Sequence, residues 1–90
     1  MRETEIYRKA LETYGAESQT LMVMEEMAEL QKALCKHARG KSNRLEIAEE
    51  IADVQITVAQ MIMLYDCAGE VEEYKRFKLE RLRRQMTGEE

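Results

Sequence analysis

Glu26 and Glu29 stand one helical turn apart within Glu25-Glu26-Met27-Ala28-Glu29, and Glu50 and Asp53 repeat that spacing within Glu49-Glu50-Ile51-Ala52-Asp53. On a helix, positions i and i+3 lie about 60° apart, so each pair shares a face. Both pairs are set in apolar sequence: Leu21-Met22-Val23-Met24 precedes the first, and Val54-Gln55-Ile56-Thr57-Val58 follows the second. Acids close to a core must be paired, protonated or bound to a cation. If the two segments are helices packed antiparallel, four carboxyl groups face one another. That donor set suits a hard divalent cation such as Mg2+, which prefers oxygen ligands and leaves positions open for phosphate oxygens. Either pair alone also fits a solvated helix face; the duplication on two successive apolar segments carries the metal reading.

The elements that must position these acids read as helices. The chain has no proline and four glycines (Gly15, Gly40, Gly69 and Gly88), and it is rich in Glu, Leu, Met, Ala, Lys and Arg, which favour helix. β-branched residues never alternate with polar ones over a useful length, so no strand is expected. The first predicted helix runs from about Glu3 to Tyr14 on the stripe Ile6, Tyr7, Ala10, Leu11 and Tyr14. Gly15 breaks it, and a second follows from about Glu17 to Ala38. Its apolar positions are Leu21, Met24, Ala28 and Cys35 on one side, with Leu30, Ala33 and Leu34 near them. Gly40 supplies a C-terminal stop. Asn43 is the expected N-cap of a third helix, with Glu46 as its capping-box partner. That helix extends to about Asp66, with Gly69 just past its end. The segment from Val54 to Leu64 is apolar nearly all round, which marks a subunit interface in so small a domain. The fourth covers about Glu70 to Met86, with a narrow apolar stripe and a basic outer face. Four helices with short loops imply an all-α, four-helix-bundle-like fold, or an oligomer built from such hairpins.

Ninety residues make one small domain, 1–90, with a modest core that oligomerisation, as a homodimer or homotetramer, would enlarge. The net charge of −4 argues against nonspecific nucleic-acid binding, although basic residues crowd positions 36–44 and 75–84. No apolar signal core or membrane-length segment is present, so a cytoplasmic location and no membrane partner are expected. Cys35 and Cys67 are too far apart for a close-spaced metal motif. Cys35 is expected as a buried thiol and His37 as an exposed imidazole, while Met22, Met24, Met27, Met61 and Met63 are expected to fill the core. A ferritin-like di-iron site would need Glu-x-x-His, which is absent, and so is a Gly-rich phosphate loop.

Glu25-Glu26-x-x-Glu29 followed by Glu50-x-x-Asp53, with twenty residues between, resembles the signature of the MazG-like, all-α nucleoside triphosphate pyrophosphohydrolases. Tyr14-Gly15-Ala16-Glu17-Ser18-Gln19 is similar to the entry to the metal helix in short, stand-alone members. Glu29-Leu30-Gln31-Lys32-Ala33-Leu34 and Glu49-Glu50-Ile51-Ala52-Asp53-Val54 match in style. The similarity spans about Ile6 to Leu82. It implies the all-α NTP pyrophosphatase architecture and hydrolysis of a nucleoside or deoxynucleoside triphosphate to the monophosphate and pyrophosphate. It further implies Mg2+, with Mn2+ as the alternative, held by Glu26, Glu29, Glu50 and Asp53. Glu25 or Glu49 would orient or deprotonate the attacking water, or would be solvated. Gln19, Tyr14 and Tyr65 are candidates for contacting the base, and Lys36, Lys75, Lys78 and Arg81 for facing the phosphates. The rival expectation is a noncatalytic helical bundle that binds nucleotides or proteins without turnover.

Overall fold

With helix the low-cost backbone state throughout, the turns decide the architecture. The computed structural model describes residues 1–89, which form α1 (Glu3–Tyr14), α2 (Ala16–Ala38), α3 (Arg44–Leu64) and α4 (Ala68–Thr87), with no strand among them. One residue, Gly15, separates α1 from α2 at φ 90° and ψ 155°, a backbone state open essentially to glycine alone. At the end of α2, Gly40 takes a positive φ; its N–H donates to the His37 carbonyl and the Lys41 N–H to the Lys36 carbonyl. These two bonds make a Schellman motif and satisfy carbonyls the helix would leave bare.

The same motif closes α3, but not at the expected glycine. Asp66 takes the left-handed conformation at φ 49°, with the Asp66 N–H donating to Met63 and the Cys67 N–H to Ile62. Aspartate tolerates this region better than most side chains. Gly69 therefore lies inside the first turn of α4 rather than beyond α3. Asn43 also departs from expectation. It occupies the N-cap position of α3 but makes no capping bond with its side chain. Its Nδ2 donates instead to the Ala33 carbonyl (2.9 Å) and to Glu46 Oε1 (2.7 Å), tying the start of α3 to the last turns of α2.

α2 and α3 form the antiparallel hairpin at the centre of the molecule. The face that α2 turns inward runs Gln19, Val23, Glu26, Leu30, Ala33 and Lys36; on α3 it runs Glu46, Glu50, Asp53, Thr57 and Gln60. Steps of three and four residues keep both rows on one side of their helices. The interface is unusually polar. Among the described residues only Val23 and Ala33 are buried apolar ones, while Gln19, Asn43, Thr57 and Gln60 are buried polar ones. Gln19 Nε2 donates to Gln60 Oε1 across the hairpin. Thr57 Oγ1 donates back to the Asp53 carbonyl (3.0 Å).

The Gln19–Gln60 bond gives a stability test. Gln60→Leu strands the Gln19 amide in a dry contact, and a buried group left unsatisfied costs about 1–3 kcal/mol. The thermal midpoint is expected to fall by at least roughly 4 °C. The double variant Gln19→Leu/Gln60→Leu removes both polar groups and is expected to recover most of that loss in the same melt.

α1 packs on both α2 and α3, with Tyr7, Ala10 and Leu11 half-buried and Ile6 and Tyr14 exposed. α4 adjoins only α3 and does not close a bundle within one chain. Val71 is half-buried, and every residue from Glu72 through Glu89 is exposed. Several expected core residues also lie outside. Met22, Met24, Met27 and Cys35 are exposed, because the inward face of α2 is the one bearing Val23 and Glu26. Met61 and Met63 are half-buried, and His37 is exposed as expected. No helix among the described residues is long and apolar enough to cross a membrane.

Candidate metal centre

The inward rows of α2 and α3 carry acids at the same level of the hairpin. Glu26, Glu50 and Asp53 each offer a carboxylate oxygen, and these oxygens all lie within 4.8 Å of one another. All three residues are half-buried. Among the described residues, no Lys or Arg pairs with any of the three; the ion pairs are Lys36–Glu46 and those of Glu80, Arg83, Arg84 and Glu89 on α4 and its end.

Unrelieved proximity shows in the acids' proton affinity. Burial pushes the Glu26 carboxyl above the usual range, and the neighbouring Asp53 carboxyl adds to it, followed by the charges of Glu50 and Glu29. Glu50 is raised in the same way, first by burial, then by Asp53 and Glu29. Glu46, one turn earlier on α3, behaves oppositely. The Asn43 amide holds its carboxyl low, with the Lys36 ammonium assisting at 3.4 Å. One row of acids is thus neutralised at its loop end and left without cations at its centre.

Oxygens bound to one Mg2+ at about 2.1 Å lie about 3 Å apart in cis and about 4.2 Å apart in trans. The Glu26, Glu50 and Asp53 oxygens, all within 4.8 Å of one another, would need only a small closing movement to reach that spacing, and their all-carboxylate chemistry suits a hard cation over a soft one.

The remaining predicted residues are distributed around this cluster. Glu29 is exposed and outside the closest trio, although its charge reaches both Glu26 and Glu50. Glu25 and Glu49 are exposed neighbours in sequence. Gln19 is buried in its bond to Gln60, and Lys36 is engaged with Glu46. Lys75, Lys78 and Arg81 lie on the exposed part of α4, and Tyr14 and Tyr65 are both exposed. Gln60, which holds Gln19, went unread in the sequence, and Glu46 was read as the partner of Asn43 but not as the acid that holds Lys36. The spacing of 46, 50, 53, 57 and 60 in steps of four and three carries the signal for both, since it places them on the row of the predicted acids.

No protein-family model, curated protein or solved structure matches this chain.

Proposed function

We propose that this chain is a Mg2+-dependent nucleoside triphosphate pyrophosphohydrolase of the MazG-like, all-α type, converting a ribo- or deoxyribonucleoside triphosphate to the monophosphate and pyrophosphate. The observation that carries the reading is the convergence of Glu26, Glu50 and Asp53 from two helices with no basic partner among the described residues. A fold that gathers half-buried acids against their mutual repulsion gains from a cation that only their oxygens can hold. When bound, Mg2+ supplies charge neutralisation for phosphate oxygens and lowers the pKa of water. Glu26, Glu50 and Asp53 are the residues that would hold it, with Glu29 the nearest further acid. Glu25 or Glu49, both exposed, would take a proton from the water attacking the α-phosphorus. Exposed Lys78 and Arg81 remain available to phosphate oxygens, and Lys36 only by exchanging its Glu46 partner.

Pyrophosphate release from the standard ribo- and deoxyribonucleoside triphosphates, measured with Mg2+ and with chelator, tests the proposal. Stoichiometric monophosphate and pyrophosphate in the Mg2+ arm alone is the expected result. Orthophosphate in place of pyrophosphate would overturn the site of attack. If no standard nucleotide is cleaved and calorimetry shows no Mg2+ binding, the metal centre itself is refuted.

A further inference from the structure

The chain's net charge of −4 hides a division. Residues 30–45 carry Lys32, Lys36, Arg39, Lys41 and Arg44 and not one acid, so they hold +5 while the rest of the chain holds −9. The fold gathers this segment at one tip of the molecule: the last turns of α2, the loop, and the start of α3. Lys32, Lys36 and Arg39 are four and three residues apart and fall within an arc about 60° wide, over about 10 Å of α2 and its end. Lys41 joins them from the loop, since its charge and that of Lys36 both act on the Glu46 carboxyl. Arg44 opens α3 beside the loop.

Glu46 engages one of these cations, Lys36, at 3.4 Å. The other four, Lys32, Arg39, Lys41 and Arg44, are exposed and, among the described residues, have no acid within ion-pair distance. α3 starts at the same tip without a side-chain cap, so the positive end of its dipole adds to the field. Salt screens exposed charges beyond about 8 Å at physiological ionic strength, so an approaching anion meets the tip's charge rather than the chain's total. The other basic region differs. On α4, Glu70, Glu72, Glu73 and Glu80 interleave with the Lys and Arg, and Arg83 and Arg84 both pair with Glu80.

What the tip has and lacks defines its occupant. Its cations extend from α2 through the loop to α3, farther than one triphosphate reaches, so the matching anion repeats its charge along a chain. No Phe, Tyr or Trp stands between Tyr14 and Tyr65, so splayed bases have no ring to stack on here. Between Leu30 and Arg39, the arc of Lys32, Lys36 and Arg39 bears no apolar side chain to anchor a protein interface. A phosphodiester backbone, held by cations alone, needs neither.

We propose that the α2–α3 tip binds the phosphate backbone of duplex nucleic acid, without regard to sequence, through Lys32, Arg39, Lys41 and Arg44. The acidic remainder of the chain is repelled by the duplex, which makes the tip the point of contact. The contact needs neither the carboxylate cluster nor a metal, so it stands apart from the nucleotide reading.

Fluorescence anisotropy with two short DNA duplexes of unrelated sequence, titrated with the full-length chain from about 50 to about 200 mM salt, is the test. Chelator is present throughout, so that no cation bridges the carboxylates to phosphate. Both duplexes are expected to bind equally, with the logarithm of affinity falling against that of salt at a slope of about −3.6 for four phosphates. Lys32→Gln, Arg39→Gln and Lys41→Gln each reduce the slope by about 1, and together they weaken binding at about 50 mM salt by about 10²-fold or more. All three positions are exposed, so helical circular dichroism is expected to be unchanged. Arg76→Gln on α4 leaves affinity and slope as they are. No binding at about 50 mM salt, a triple variant that binds as well as wild type, or an equal loss from Arg76→Gln overturns the proposal. Polyglutamate held as tightly as DNA would show a docking site for acidic protein in its place. Displacement of the duplex by equimolar inorganic triphosphate would show a subsite for a single nucleotide instead.

Discussion

Asp53→Asn and Glu50→Gln, made singly, are each expected to lower Mg2+-dependent pyrophosphate release by about 10³-fold or more, because a metal ligand supplies several kcal/mol of transition-state charge stabilisation. Both substitutions keep the size of the side chain and remove its charge. The fold should survive them. In the absence of metal, each relieves repulsion among Glu26, Glu50 and Asp53, so the apo variants are expected to melt at or above the wild-type temperature. Activity lost with stability retained separates a catalytic role from a structural one. The matching change at exposed Glu49 tests the water-activating role, and its loss should show as a shifted pH–rate profile with Mg2+ affinity unchanged. Wild-type turnover in Asp53→Asn would refute the proposed centre.

The second large effect is expected in stability rather than rate. Mg2+ binding only the folded state at a hundred times its dissociation constant contributes about 2.7 kcal/mol, which for a domain of this size raises the melting temperature by roughly 10 °C or more. The size of that shift depends on pH with a definite sign. Glu26 and Glu50 hold protons more tightly folded than at their ordinary value of 4.5. Their contribution to the metal-free fold is therefore favourable at low pH and is lost as pH rises from that value through the raised folded ones. A bound cation replaces those protons, so Mg2+ stabilisation should grow over the same window and be accompanied by proton release. Glu46 and Glu80 act in the opposite direction, since hydrogen bonds from Asn43 and Arg83 hold them low; their contribution is lost as pH falls. Comparing wild type with Glu50→Gln at each pH isolates the cluster. Differential scanning fluorimetry with Mg2+ and with chelator from acid to neutral pH is the measurement. A melting temperature indifferent to Mg2+ throughout would rule out the linkage.

Helix content was legible along the whole chain. Without proline, and with glycines at 15, 40 and 88 at or beside helix ends, the local propensities all point one way. The acid spacing was equally legible: three-residue steps put Glu26 with Glu29 and Glu50 with Asp53 whatever the packing. What periodicity could not supply was the choice of face. α2 carries two stripes a half-turn apart, one through Gln19, Val23, Glu26 and Ala33, the other through Leu21, Met24, Ala28 and Cys35. The second is the more apolar, yet the first packs on α3.

The acids show the same division. Whether Glu29 or Glu26 lies closest to Glu50 and Asp53 depends on the crossing of two helices, and local spacing is blind to it. The structure gathers Glu26, Glu50 and Asp53 and leaves Glu29 at the margin. Asn43 was recognisable as the N-cap position of α3, but its bond to the Ala33 carbonyl exists only because the Schellman turn at Gly40 brings the two helix ends together. Asp66 rather than Gly69 takes the left-handed position that closes α3, and Gly69 falls inside α4. The sequence by itself determined the helices and the acids' phase on them, because those follow from bonds and sterics within a few residues. Which acids meet, and which apolar faces are left outward, were decided by tertiary packing, because contacts between residues far apart in the chain are won by the total fit of two surfaces and not by the hydrophobicity of either stripe alone.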